Sequence, residues 1–393
     1  MTLIAEVLVA LPIVLAVYSY AAYPAALWLL ARRRANALVT GQADYQPSIS
    51  VVVPAYNEET QIGGAIEALL AQDYPHDKMQ ILILSDASTD ATDRIVSSYA
   101  DRGVELMRMP KRSGKTAMEN AACRLLRGDV VVNSDASIRL HPTTTRKLIE
   151  QLSDPSIGVA SGCDVSVSVG RPQANATEAG YVNYEMRLRA LETQAGGIIG
   201  ASGCCYAIRA DLHRLPIPPD LSRDFSAALT ARAHGFRAVS VDDAIAFVPR
   251  TQTLRREYTR KVRTIARGME TLLGVAHMLD PMRYGAFSWR LISHKVCRWM
   301  VPIVAVPALV ALAFLARTHL WAELALALTV TLAGVAAVGA FWPATRPMPR
   351  LLSFISFSVA ANVAVIHAAC RLMYAGDDKI WEPTRREAII AAP

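Results

Sequence analysis

The chain of 393 residues reads as an α/β domain with a parallel, doubly wound sheet, held between apolar helices. Uncharged β-branched runs alternate with helical ones from residue 48 to about 250, and polar clusters follow the strand-like runs. Long apolar stretches stand toward both ends of the sequence.

The first stretch, Val7 to Ala31, is 25 residues without a charge, followed by Arg32, Arg33 and Arg34. That length crosses a bilayer. A cleaved signal peptide would carry its basic residues before the apolar run, not after it. The positive-inside rule then puts the N-terminus outside and residue 32 onward in the cytosol. Residues 1–34 are expected to be a transmembrane anchor.

Residues 48–55 (SISVVVPA) form a strand buried on both faces. A helix follows over 59–72, with Ile62, Ala65, Ile66 and Leu69 on one side. Strands at 81–85, 104–109 and 129–134 alternate with helices from about 90 to 99 and over 115–126. This βαβαβαβ order implies parallel strands with right-handed crossovers. The second half is less regular, with strands near 157–163 and 204–208 and helices over 177–194 and near 225–234.

Residues 253–275 spell a basic amphipathic helix, with Arg256, Arg260, Arg263 and Arg267 in one stripe. Three apolar segments follow: Trp299–Ala316, Leu324–Trp342 and Leu351–Cys370. The last carries Ser353, Ser356, Ser358, Asn362 and His367 and is the weakest span. One crossing before the domain and three after it would leave the tail, 373–393, outside, while Lys379, Arg385 and Arg386 argue for inside. The sequence leaves open whether one segment re-enters or lies in the interface.

A hydrophobic content of 52% and a mean hydropathy of +0.25 suit one large domain plus a membrane part. The net charge of +7 is uneven: between Arg250 and Arg298 there are eleven Arg/Lys against three Asp/Glu. Such an excess suits lipid headgroups or an anionic substrate. There is no helix-turn-helix, zinc-finger or aromatic β-platform signal, so nucleic acid is not expected. The six cysteines form no CxxC pair and read as small buried hydrophobes in a reducing compartment.

Ligands of open parallel sheets bind beyond the carboxyl ends of the strands. Three polar clusters fall there: Pro54-Ala55-Tyr56-Asn57-Glu58, Asp86-Ala87-Ser88-Thr89-Asp90 and Ser134-Asp135-Ala136-Ser137. Asp90 reads equally well as a helix cap. Gly114-Lys115-Thr116 looks like the end of a phosphate-binding P-loop, but Met109 stands where its first glycine belongs. A lysine at a helix start still suits an anion.

With these residues in place, residues 45–275 resemble glycosyltransferase family 2, the group of cellulose, hyaluronan and poly-N-acetylglucosamine synthases and ceramide glucosyltransferase. The resemblance implies a Rossmann-like GT-A fold over 45–250, basic interface helices over 251–298 and transmembrane segments over 299–372. It implies a nucleotide site at Pro54, Tyr56, Glu58 and Asp86, the last on uracil or ribose. Gly114, Lys115 and Asn120 match a GK pair followed by Asn. The DxD-type metal motif falls on Asp135, with Ser137 in place of the second acid, and implies Mg²⁺ or Mn²⁺. SGCCYAIR (202–209) resembles the acceptor strand, which assigns Ser202 and Gly203 to the acceptor. Arg223-Asp224-Phe225 resembles the (E/D)-D-F motif, so Asp224 inherits the catalytic base, and Arg223 replaces the first acid, placing a positive charge beside it. Arg260 and Arg263 match the two arginines of Q/R-x-x-R-W on the diphosphate, while Thr264 stands for the tryptophan. The same stripe reads equally as a headgroup-binding interface helix.

The implied activity is inverting transfer from a UDP-sugar to a membrane-held acceptor. The product would be a β-linked polysaccharide or exopolysaccharide, or a glycolipid on ceramide, diacylglycerol or polyprenyl phosphate; a non-catalytic membrane protein is the third reading. The implied location is the plasma (inner) membrane, multi-pass, with the catalytic domain cytosolic. The sequence names no partner subunit.

Overall fold

The structure is a computed structural model, and it describes residues 2–34, 41–42, 44–167, 176–249, 254–343 and 348–374. The tail residues Lys379, Arg385 and Arg386 lie outside the described residues. Two compact units are formed, one α/β and one helical.

The α/β unit is built on an eight-stranded sheet. Its strands are β1 (Ile49–Ala55), β2 (Met79–Ser85), β3 (Val104–Arg108), β4 (Val130–Ser134), β5 (Arg139–Leu140), β6 (Ile157–Val167), β7 (Cys205–Arg209) and β8 (Arg237–Pro249), in the order β3-β2-β1-β4-β7-β6-β8-β5. Every residue of β1, β2 and β4 is buried, which is why these segments are apolar without alternation. One face of the sheet carries Val51, Val53, Ile81, Ile83 and Val132 against Ile62, Ile66 and Leu148. The other carries Val52, Leu84 and Val131 against Met118, Ala122 and Ala228. The Ile62–Leu70 helix buries the four residues its periodicity marked, Ile62, Ala65, Ile66 and Leu69.

The expected parallel sheet is corrected by its second half. Strands β1 to β4 pair in parallel, but β7 runs antiparallel to both β4 and β6. The chain also forms the 13-residue β8, paired in parallel with β6 through two register shifts, where no strand was expected. Acidic Asp242 and Asp243 interrupt its apolar pattern, and the second shift, between Ser161 and Cys163, falls opposite them.

The helical unit holds four helices long and apolar enough to cross a membrane: Thr2–Arg33, Ala286–Leu315, Leu320–Ala340 and Arg350–Tyr374. The first packs on the second, where the Tyr18 and Ser293 hydroxyls hydrogen-bond at 2.7 Å and the Trp289 indole donates to Tyr18 at 3.0 Å. The basic helix runs from Leu254 to Gly274 and packs on Arg350–Tyr374, burying Val262 and Ala266 against Ala364 and Ala368. Polar residues of the last helix gain partners there: the Tyr258 hydroxyl and His367 Nδ1 lie 3.0 Å apart. Of the six cysteines, all free, Cys205 is fully buried and Cys370 is exposed, so the expectation of uniform burial does not hold.

Candidate active site

At the carboxyl edge of the parallel half, loops after β1 and β2 are laced together. Thr89 N donates to Asn57 Oδ1 at 2.8 Å, and Glu58 N to Thr92 Oγ1 at 2.8 Å. Asp90 Oδ1 accepts from Thr92 N at 3.0 Å and from Thr92 Oγ1 at 2.6 Å, one residue ahead of the Ala91 N-cap of the Thr92–Ser97 helix. Pro54 is buried in β1, and Glu58 is buried near Arg139, whose cation burial pushes down and the Glu58 charge pushes up. Tyr56 lies half-buried under Arg112, with the guanidinium 3.9 Å from the ring centroid.

Asp86 is fully buried, and both of its oxygens accept backbone N–H groups, Ser113 at 2.7 Å and Gly114 at 2.9 Å. Its carboxylate thus shapes the turn into the Lys115–Ala122 helix. Gly114 sits there at φ 87°, a conformation that favours glycine.

The turn delivers Lys115, whose Nζ donates to Asp135 Oδ1 at 2.7 Å just beyond β4. Burial pushes the Lys115 ammonium down, but the carboxylates of Asp135, Glu119 and Asp224 outweigh it and raise it above the usual lysine range. Three acids therefore surround one lysine. Ser137 is buried two residues beyond Asp135.

Asp224 lies in the first turn of the Arg223–Ala233 helix and accepts a hydrogen bond from Ser222 Oγ. The Lys115 helix ties this segment down. Thr116 Oγ1 donates to Leu221 O at 2.9 Å, and Asn120 Nδ2 to Ile217 O at 2.7 Å. Arg223, expected beside Asp224 as a positive neighbour, instead turns inward. Its guanidinium donates to His213 O at 2.9 Å and to Asn120 Oδ1, and its Nε stands 3.4 Å from Glu119 Oε2. Burial pushes the Glu119 carboxyl up, against the pull of Lys115 and Arg223. A buried pair thus fills the place of the missing acid, and Lys115 supplies the cation facing Asp224.

Ser202 and Gly203 meet the same edge because β7 runs back beside β4. Asp135 N donates to Cys204 O at 3.2 Å. Ser202 Oγ donates to Asp164 at 2.7 and 2.8 Å to its two oxygens, and Gly203 lies against Asp224. Ser161 and Arg189 brace this loop: Ser202 N donates to Ser161 Oγ at 2.8 Å, and Arg189 to Ala201 O at 3.0 Å. Asp164, Glu119 and Arg189 were not marked in the sequence. For Asp164 the available signal was an acid near the end of a strand that points to the same edge.

Arg260 and Arg263 belong to the helical unit, on the Leu254–Gly274 helix. Arg260 forms a two-pronged pair with buried Glu257, at 2.9 and 2.7 Å.

For a metal, no cluster of three or more His, Cys, Asp or Glu forms among the described residues. Asp135 offers one carboxylate, with one oxygen already on Lys115, and Ser137 a hydroxyl. This donor set fits a cation that keeps its waters and arrives with diphosphate oxygens, as Mg²⁺ does with one or two carboxylates. It does not fit an ion held by protein alone.

Residues 50–215 match the family model for glycosyl transferase family 2. The chain carries a glycosyltransferase family 2 domain. An N-acetylglucosaminyltransferase of Bradyrhizobium diazoefficiens is 27% identical over 345 residues, covering 83% of this chain and 68% of that protein. A beta-monoglucosyldiacylglycerol synthase of Synechocystis is 29% identical over 127 residues, 31% of this chain and 26% of that protein. A mannosyltransferase of Pyrobaculum calidifontis, solved in complex with GDP-Man and Mn²⁺, shares the fold at a TM-score of 0.72 and 23% identity, covering 94% of this chain and 100% of that one. The protein is a glycosyltransferase with a GT-A-like fold, and four of its described helices are long and apolar enough to cross a membrane.

Proposed function

We propose that this glycosyltransferase moves a sugar from a UDP-linked donor to a membrane-held hydroxyl, with inversion at the anomeric carbon. N-acetylglucosamine is the first candidate, because the relative with the long match is an N-acetylglucosaminyltransferase. The observation that carries the reading is the pairing of Lys115 with Asp135 at a strand end, with Asp224 close enough to raise the lysine further.

In this reading the acceptor hydroxyl oxygen attacks the anomeric carbon, the bond to the diphosphate oxygen breaks, and the hydroxyl proton passes to Asp224 Oδ2 or Oδ1. UDP leaves with the bonding electron pair. General-base assistance is typically worth about 10²–10⁴-fold. Lys115 is released from Asp135 onto the diphosphate, where a preorganised cation stabilises developing charge. A divalent cation bound through Asp135 would neutralise the same oxygens. Asp86 holds the 113–114 turn, Tyr56 and Arg112 flank the nucleotide, and Ser202 with Asp164 orients the acceptor. Residues 45–250 carry the chemistry in the cytosol, and the helices at 1–34 and 299–372 anchor it in the plasma membrane. The product is a β-linked saccharide. A glycolipid is the second reading, favoured by the similarity to the diacylglycerol-directed synthase.

The test is Asp224→Asn, assayed in membranes with UDP-sugars and their lipid-soluble and polymeric products separated. Donor affinity should hold while turnover falls about 10²-fold or more, at least about 2.7 kcal/mol. Near-normal turnover would leave Asp224 as a first-turn carboxylate that complements the helix N-terminus only.

A further inference from the structure

Between the Leu254–Gly274, Leu320–Ala340 and Arg350–Tyr374 helices lies an open groove of about 580 Å³. Sites for small molecules typically measure about 300–1,000 Å³. One wall is Ala333, Ala336, Ala337 and Ala340, a single face at helical spacing, on a helix whose other positions include Leu324, Leu328 and Leu332. The facing wall is Val359, Ala360 and Val363. Alanines on this face leave open the volume that leucines would fill.

Two polar groups distinguish the groove from a simple packing gap. Ser356, only 3% exposed, stands at the groove's edge, its hydroxyl buried against Gly339 with no hydrogen-bond partner among the described residues. Leaving such a group unpaired away from water is unfavourable. Arg255 stands exposed at the rim, with no ion-pair partner among the described residues, next to Tyr258, whose hydroxyl reaches His367. The rim belongs to a basic amphipathic helix, the kind of element that lies at a membrane surface.

We propose that this groove binds a membrane lipid, one hydrocarbon chain lying along the alanine face and an anionic phosphate headgroup on Arg255. The apolar walls match a hydrocarbon chain, and the guanidinium matches a phosphate. Basic residues beside membrane spans attract anionic lipids. The inference rests on these helices lying in a bilayer and not on the transfer reaction.

The experiment uses the full-length protein in phosphatidylcholine vesicles doped with phosphatidylglycerol bearing a diazirine in its acyl chain, or with phosphatidylcholine bearing the same chain. After irradiation, mass spectrometry of the digest locates the label. The phosphatidylglycerol probe should mark segments 333–341 and 356–363 severalfold more than the phosphatidylcholine probe, and Arg255→Gln should equalise the two. Ala337→Trp and, separately, Val359→Trp should remove this label while exposed Val310 of the neighbouring span keeps its own. Equal labelling of the wild-type groove by both probes, or groove labelling that survives both tryptophan variants, would overturn the proposal.

Discussion

Gly203 makes room for the carboxylate of Asp224: a Cβ at position 203 would stand 2.9 Å from Asp224 Oδ2. Real Cβ atoms essentially never lie that close, so Gly203→Ala must displace the carboxylate. A misplacement approaching 1 Å costs up to about 10²-fold in rate. Turnover is expected to fall about ten- to a hundredfold with donor KM little changed. A variant with unaltered kcat would show that Asp224 does not work from this position.

The buried Glu119–Arg223 pair should behave as one unit. Removing one partner of a buried pair typically costs about 3–5 kcal/mol, whereas replacing both by apolar residues is often close to neutral. Glu119→Leu and Arg223→Leu should each lower the unfolding temperature markedly, and the double variant should recover part of the loss. Strictly additive losses in thermal unfolding would mean the two charges do not support each other.

Asp135 is expected to carry the response to divalent cations. Calorimetric titration of UDP into the wild-type protein should show tighter binding with Mn²⁺ or Mg²⁺ present, and Asp135→Ala should abolish that gain and the transfer activity. A metal response preserved in the alanine variant would assign the cation to other residues.

Cys163 offers a pH readout of the surroundings of Asp164. Its thiol is pushed up to about 11, chiefly by burial and then by the charges of Asp242 and Asp164. The neutral thiol therefore dominates at pH 8, with a thiolate fraction of about 10⁻³. Alkylation should be slow at pH 8 and accelerate as pH rises toward 11. Asp164→Asn removes one of the raising charges and should speed alkylation at fixed pH. An unchanged rate would separate Asp164 from this thiol.

The parallel half of the fold was legible because strands buried on both faces leave uninterrupted apolar runs, as in Val51–Val53 and Ile81–Leu84. The residues that cluster after those strands were legible for the same reason: topology fixes which edge they share. Strand β8 was hidden because Asp242 and Asp243 break its pattern at a register shift. The Glu119–Arg223 pair was hidden because its partners lie on different helices far apart in sequence, and nothing local to Arg223 announces a buried acid. Asp164 was passed over because a single acid in an irregular strand has no spacing to give it away.

The antiparallel pairing of Ser134 with Cys205 sets a limit on how this enzyme can change. Asp135 leaves one strand where Gly203 and Ser202 lead into the other, so a one-residue slip of β7 would carry the 202–203 loop about 3.3 Å along the strand and turn Tyr206 to the opposite face. Insertions and deletions at this seam would therefore move Ser202 and Gly203 away from Asp135 and Asp224 at once. New specificity has to arise by exchanging side chains around a fixed backbone, or by lengthening loops that leave this pair of strands untouched.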